Sequence, residues 1–146
     1  PLTESLLQVD GIQGIEIKDQ HEDWIIRLTV DNNADLKAVF REANRIAAKK
    51  IDDEEYCLEV ADNPSPELLA LYNDLELGLY QGIANSSFIW LAQWINDYTV
   101  PHHAEYRIQV DDKNLYLMLI KGDHYLARVI KRTTGVDEDG RVDADA

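Results

Sequence analysis

Apolar residues in this chain recur at two different periods, and the period changes in blocks along its 146 residues. Side chains alternate across a strand and return to one helix face every three to four positions, so the period names the element. Ile15 and Ile17 alternate, as do Trp24, Ile26, Leu28 and Val30. Polar residues 18–23 lie between the two runs, which predicts a hairpin with one wet face. The period then lengthens. Leu36, Val39, Phe40, Ala43, Ile46 and Ala47 line one side of a helix over 34–50, with Asn32 and Asn33 placed to cap it. Tyr56, Leu58 and Val60 restore the alternation of a short strand.

A second helical block follows. Ser65, Pro66 and Glu67 combine a capping side chain, a proline at the first helical position and an acid in the first turn. Leu68, Leu71, Tyr72, Leu75 and Leu79 continue one face, while Gly78 and Gly82 weaken the helix. Asn85 and Ser86 precede another helix over 87–98, with Leu91, Trp94, Ile95 and Tyr98 in register and Pro101 ending it. Three alternating runs, 105–110, 115–120 and 125–131, close the pattern, with turns at 111–114 and 122–124. The middle run is apolar on both sides, as a covered central strand would be. Residues 2–9 show no period.

The expected fold class is therefore α+β: an antiparallel sheet covered by an amphipathic helix and a helical pair. The sheet consists of the hairpin, a third strand and a three-stranded meander. A single domain is expected over 1–132, followed at 133–146 by a small-residue, acidic, disordered tail.

Charge is the property most legible for function. No lysine or arginine occurs between Ile51 and Tyr106, which hold eleven acids, whereas 34–50 carries five bases. The net charge is −14. Such a region repels nucleic acid and anionic membrane and attracts cationic partners. Asp52, Asp53, Glu54, Glu55, Glu59, Asp62, Glu67, Asp74 and Glu76 are nine acids in 26 residues with no base among them. Their self-repulsion opposes compactness, so they are expected to bind a basic protein partner. Lys37, Arg41, Arg45 and Lys49 recur every four residues and read as the wet face of their helix.

Catalytic and cofactor motifs are missing, and no cofactor or metal is expected. His102 and His103 are adjacent, so in an extended segment they point to opposite sides. His21 and His124 fall in turns, and no paired-histidine or CxxC spacing accompanies any of them. The Asp137–Gly140 stretch places Gly135 and Ala146 where a calcium loop needs ligands. Cys57, the one cysteine, has Asp53, Glu54, Glu55 and Glu59 nearby, which raise a thiol pKa; it is expected to be buried and inert. A lone cysteine, no basic flank before an apolar leader, and an apolar run at 88–95 too short for a bilayer predict a cytoplasmic protein.

In size, acidity and α+β pattern the chain is similar to bacterial immunity proteins, phage-encoded inhibitors of host defence, and secretion chaperones. The similarity is one of composition and assigns no residue. It implies a non-enzymatic interaction module that docks on a basic, nucleic-acid-handling partner, with no direct contact to nucleic acid or membrane. The alternative is a small enzyme or ligand-binding domain with a pocket between helices and sheet, using Tyr98, His102, His103 or Arg107. Trp90 and Trp94, with Phe88 and Ile89, make their helix apolar nearly all round. Such a helix is either sandwiched in the core or laid against another subunit, and Trp90 and Trp94 are the expected homodimer contacts.

Overall fold

The structure is a computed structural model that describes residues 1–20, 23–51 and 55–132. His21, Asp52, Asp53, Glu54 and the tail expected over 133–146 lie outside the described residues. The class is α+β, as the periods predict, with four helices and six strands among the described residues. Internal contacts divide the chain into two units, Pro1–Asp62 and Asn63–Ala146.

The first unit contains α1 (Leu2–Leu7), β1 (Ile12–Gln20), β2 (Asp23–Val30), α2 (Leu36–Lys50) and β3 (Tyr56–Ala61). β1 runs antiparallel to β2, pairing Ile15 with Leu28 and Ile17 with Ile26. β3 lies parallel to β2, pairing Leu58 with Ile26 and Val60 with Leu28. Every alternating apolar position therefore falls on one face, and Ile26, Leu28 and Val30 are fully buried there. α2 turns Leu36, Val39, Ala43 and Ala47 inward. From the strand side, the Tyr56 hydroxyl donates to Asn44 Oδ1 at 2.6 Å. The cap of α2 is Asp35, whose carboxylate accepts from the Ala38 amide at 3.0 Å, rather than Asn32 or Asn33. The Asn33 amide is instead bound to Asp31 at 2.9 Å in the preceding turn.

The second unit contains α3 (Pro66–Ala84), α4 (Phe88–Thr99), a 3-10 turn at Val100–His102, β4 (Glu105–Val110), β5 (Asn114–Lys121) and β6 (His124–Lys131). β4, β5 and β6 form the antiparallel meander, with β5 in the middle. Leu115 through Ile120 are buried on both faces of β5. Leu115, Leu117 and Leu119 join Leu68, Leu71, Leu75 and Leu79 of α3 and Leu91 and Ile95 of α4 in one core. α3 starts as expected, with Ser65 accepting from the Leu68 amide at 3.2 Å and Pro66 at the first helical position.

Two expectations about the sheet require correction. The strands form two three-stranded sheets instead of one, and the β2–β3 pairing is parallel. A helical crossover the length of α2 returns the chain to the same end of the sheet, so the next strand runs in the same direction. α1 is also unforeseen. Leu6 is its sole buried side chain, too little to make a period, and the helix is held by packing on β1 and α2.

Candidate interaction surface

The helical pair of the second unit is built around two glycines. A Cβ on Gly78 would lie 2.1 Å from Trp94 Nε1, and one on Gly82 would meet Leu91 at 3.0 Å. Spaced four apart on one face, they let α4 close onto α3, and α3 continues unbroken through both. Their cost in helix propensity is offset by contact. The Trp94 indole lies over Gly78; Trp90 stacks on it at 5.6 Å between centroids, and the Tyr98 ring packs on it at 4.8 Å. Trp94 Nε1 is buried without a hydrogen-bond partner among the described residues.

Outward, the same pair is apolar. Six of the eight large apolar side chains exposed among the described residues lie between Leu69 and Val100. On α3, Leu69, Leu77 and Tyr80 follow one another at spacings of eight and three, which forms a stripe. Leu77 is 84% exposed and Tyr80 60%. The short connection at 85–87 brings the first turn of α4 beside the last turns of α3, where Ile89 is 89% exposed and Trp90 43%. Neither helix carries a lysine or arginine; their charged residues are Glu67, Asp74, Glu76 and Asp97. Asp74 sits one turn before Gly78 on α3.

The acids expected to act together are distributed between the units. Glu55 is exposed just before β3, and Glu59 is exposed on the sheet face opposite α2. There the register sets Glu59 beside Arg27, and Arg27 beside Glu16. Asp62 is half-buried at the end of the first unit, while Glu67, Asp74 and Glu76 belong to α3. Glu67 is neutralised locally. His102 Nδ1 approaches its Oε2 at 3.0 Å, and Lys121 Nζ donates to both carboxylate oxygens at 2.9 and 3.0 Å. The hydrogen bond from His102, then that from Lys121, holds its pKa below the ordinary carboxylate range. Asp74 and Glu76 thus carry the anionic character of α3.

Several other candidates are resolved by their partners. Trp94 serves the α3–α4 contact, so of the two tryptophans Trp90 offers the more open ring. Within the basic stripe, Arg45 pairs with Glu42 one turn earlier. Cys57 is exposed rather than buried, because β3 is an edge strand and Cys57 points away from α2. Partial desolvation of its sulfur, then Glu59 and Asp23, push its thiol pKa up.

Residues proposed for a pocket between helices and sheet are engaged separately: Tyr98 on Trp94, His102 on Glu67. His103 is exposed in a left-handed conformation. No group of three or more His, Cys, Asp or Glu side chains among the described residues could hold a metal ion. No helix among them is long and apolar enough to cross a membrane. No family model, curated protein or solved structure matches this chain.

Proposed function

We propose that this protein is a non-enzymatic, cytoplasmic interaction module that docks a basic amphipathic segment of a partner protein on the outer surface of α3 and α4. The supporting observation is the coincidence, on two helices without a base, of an exposed apolar stripe and uncompensated acids. Leu77, Tyr80, Ile89 and Trp90 offer anchors to apolar side chains, and Asp74, Glu76 and Asp97 offer ionic contacts to lysines and arginines. Occupied in this way, the partner's basic residues no longer reach phosphate. That is the action of an inhibitor or chaperone of a nucleic-acid-handling protein.

The reading is tested with a synthetic amphipathic peptide of leucine and lysine at helical spacing, titrated while following tryptophan emission. Binding should weaken by roughly tenfold or more between low salt and physiological ionic strength, because the charges at the rim are screened. Leu77→Ser with Ile89→Ser should weaken it by a similar factor and leave the fold intact by circular dichroism. Asp74→Lys with Glu76→Lys should do the same. Binding that is indifferent to both pairs of changes removes this surface from the mechanism. Sedimentation showing a dimer that Ile89→Ser dissolves would instead assign the surface to a second copy of the chain.

A further inference from the structure

β3 is an edge of the first unit's sheet, paired with β2 on one side. Successive residues of a strand aim their backbone groups alternately to its two sides, so about half of the β3 amides and carbonyls face away from β2. Among the described residues, Cys57 through Ala61 make no backbone–backbone bond on that side. The opposite edge, β1, is blunted: its register with β2 shifts between Ile12 and Gly14, and Lys18 stands on it. A bulge and a lysine are common guards against strand addition. β3 has neither of them and no proline, and its register is unbroken from Tyr56 to Ala61.

Both faces of the sheet are unfinished at this edge. Leu58 and Val60 point to the core side yet are half-buried, whereas Ile26 and Leu28 beside them on β2 are fully buried. On the opposite face the alternation places Asp23 and Arg27 of β2 and Glu59 of β3, and Glu55 is exposed just before the strand. Glu16 and Lys18 of β1 share that face and pair with each other at 3.1 Å. Among the described residues of this sheet, Arg27 is left to answer Asp23, Glu55 and Glu59, so acid is in excess. Glu59 makes no ion pair among the described residues, and β3 lies in the stretch of chain without lysine or arginine.

We infer that the free edge of β3 takes up an extended segment of a partner protein in which apolar residues alternate with lysine or arginine. Backbone bonding lays the segment down as one more strand of the sheet. Its apolar side chains continue the layer of Leu58 and Val60. Its bases stand on the face of Glu59, where cross-strand neighbours of opposite charge attract. A second copy of the chain is a poorer occupant. It would bring its own Glu55 and Glu59 to an edge already rich in acid, and like charges oppose pairing. Period separates this ligand from the one proposed for α3 and α4, with strand alternation here and helical spacing there. The two surfaces belong to different units, so neither reading depends on the other.

The test titrates the labelled peptide Val-Lys-Val-Lys-Val-Lys against the full chain by fluorescence anisotropy. Two derivatives accompany it, one with N-methyl groups on every valine and one with them on every lysine. In an added strand the amides of one set face β3 and those of the other face solvent. One derivative should therefore bind at least roughly tenfold more weakly than the parent peptide, and the other should bind nearly as well. Glu59→Lys should weaken the parent peptide several-fold. Glu59 is exposed, so the fold should persist, and circular dichroism verifies it. No binding of the parent peptide, equal behaviour of the two derivatives, or indifference to Glu59→Lys overturns the inference. So does a loss of binding on Leu77→Ser with Ile89→Ser, which would place the peptide on the helical pair.

Discussion

α2 in the first unit and the α3–α4 pair in the second both bury an apolar face in a core, yet their outer faces differ in kind. α2 turns Lys37, Arg41, Arg45 and Lys49 away from its core, and Arg45 is paired with Glu42 on its own helix. α3 and α4 turn out Leu77, Tyr80, Ile89 and Trp90 among acids. Core formation explains the inner faces of all three helices and the wet face of α2. It does not explain side chains as open as Leu77 and Ile89, which gain nothing from the fold. The difference teaches that apolar content on the helical pair exceeds what stability requires, an excess that the proposed interaction surface would account for.

The comparison can be broken at several points. If the inner faces do equivalent work, Leu36→Ala in α2 and Leu75→Ala in α3 should each cost about 2–5 kcal/mol in denaturant unfolding, since both side chains are buried. A cost confined to one unit would show that the two cores are not comparable. Next in size is Gly78→Ala, where the new methyl would meet the Trp94 ring. Overpacking of this kind costs about 1–3 kcal/mol, partly offset by the gain of roughly 1 kcal/mol in helix propensity. Displacement of Trp94 should also appear as a red shift in tryptophan emission. An unchanged spectrum and midpoint would mean that the close approach of α4 to α3 is not needed.

On the outer faces the expected stability effects are small. Leu77→Ser with Ile89→Ser in the second unit and Arg41→Ser in the first should each stay within about 0.5 kcal/mol per site. The pair on α3 and α4 should weaken peptide capture by roughly tenfold or more, and the change on α2 should not. Equal loss from both would erase the distinction between the two surfaces.

The smallest effect concerns Glu67. Its pKa is lowered in the folded state from the ordinary value of 4.5 by His102 and Lys121, so its contribution is present above that value. It is lost as the pH falls through the lowered folded value. Glu67→Gln should therefore be slightly less stable than the parent at neutral pH, with the difference closing in acid. Parallel stability profiles from neutral pH into acid would show that the clasp contributes nothing.

Much of the fold was legible because element type is a local property. The alternation at Trp24–Val30 and the start at Ser65–Pro66 were read correctly, since a strand's pleat and a helix cap involve residues within a few positions. Gly78 and Gly82 illustrate the limit. Locally they are weak helix residues, and only the arrival of Trp94 and Leu91 shows their use. The proposed interaction surface was half legible. The absence of bases between Ile51 and Tyr106 marked the region, but exposure singled out Leu77 and Tyr80, which sequence reasoning had not selected. A leucine at residue 77 has the same local signature whether it faces core or solvent.

By itself, the chain's order of apolar and polar residues determined which segments other than α1 become helix or strand, which of their faces enter a core, and how charge is apportioned. The tertiary structure decided the rest: the parallel placement of β3, the division into two sheets, the inward turn of Trp94 beside a more open Trp90, and the pairing of Glu67 with His102 and Lys121. The physical reason is range. Period, capping and turn chemistry act over a few residues of backbone, whereas these outcomes depend on which distant segments meet, and no spacing along the chain records that choice.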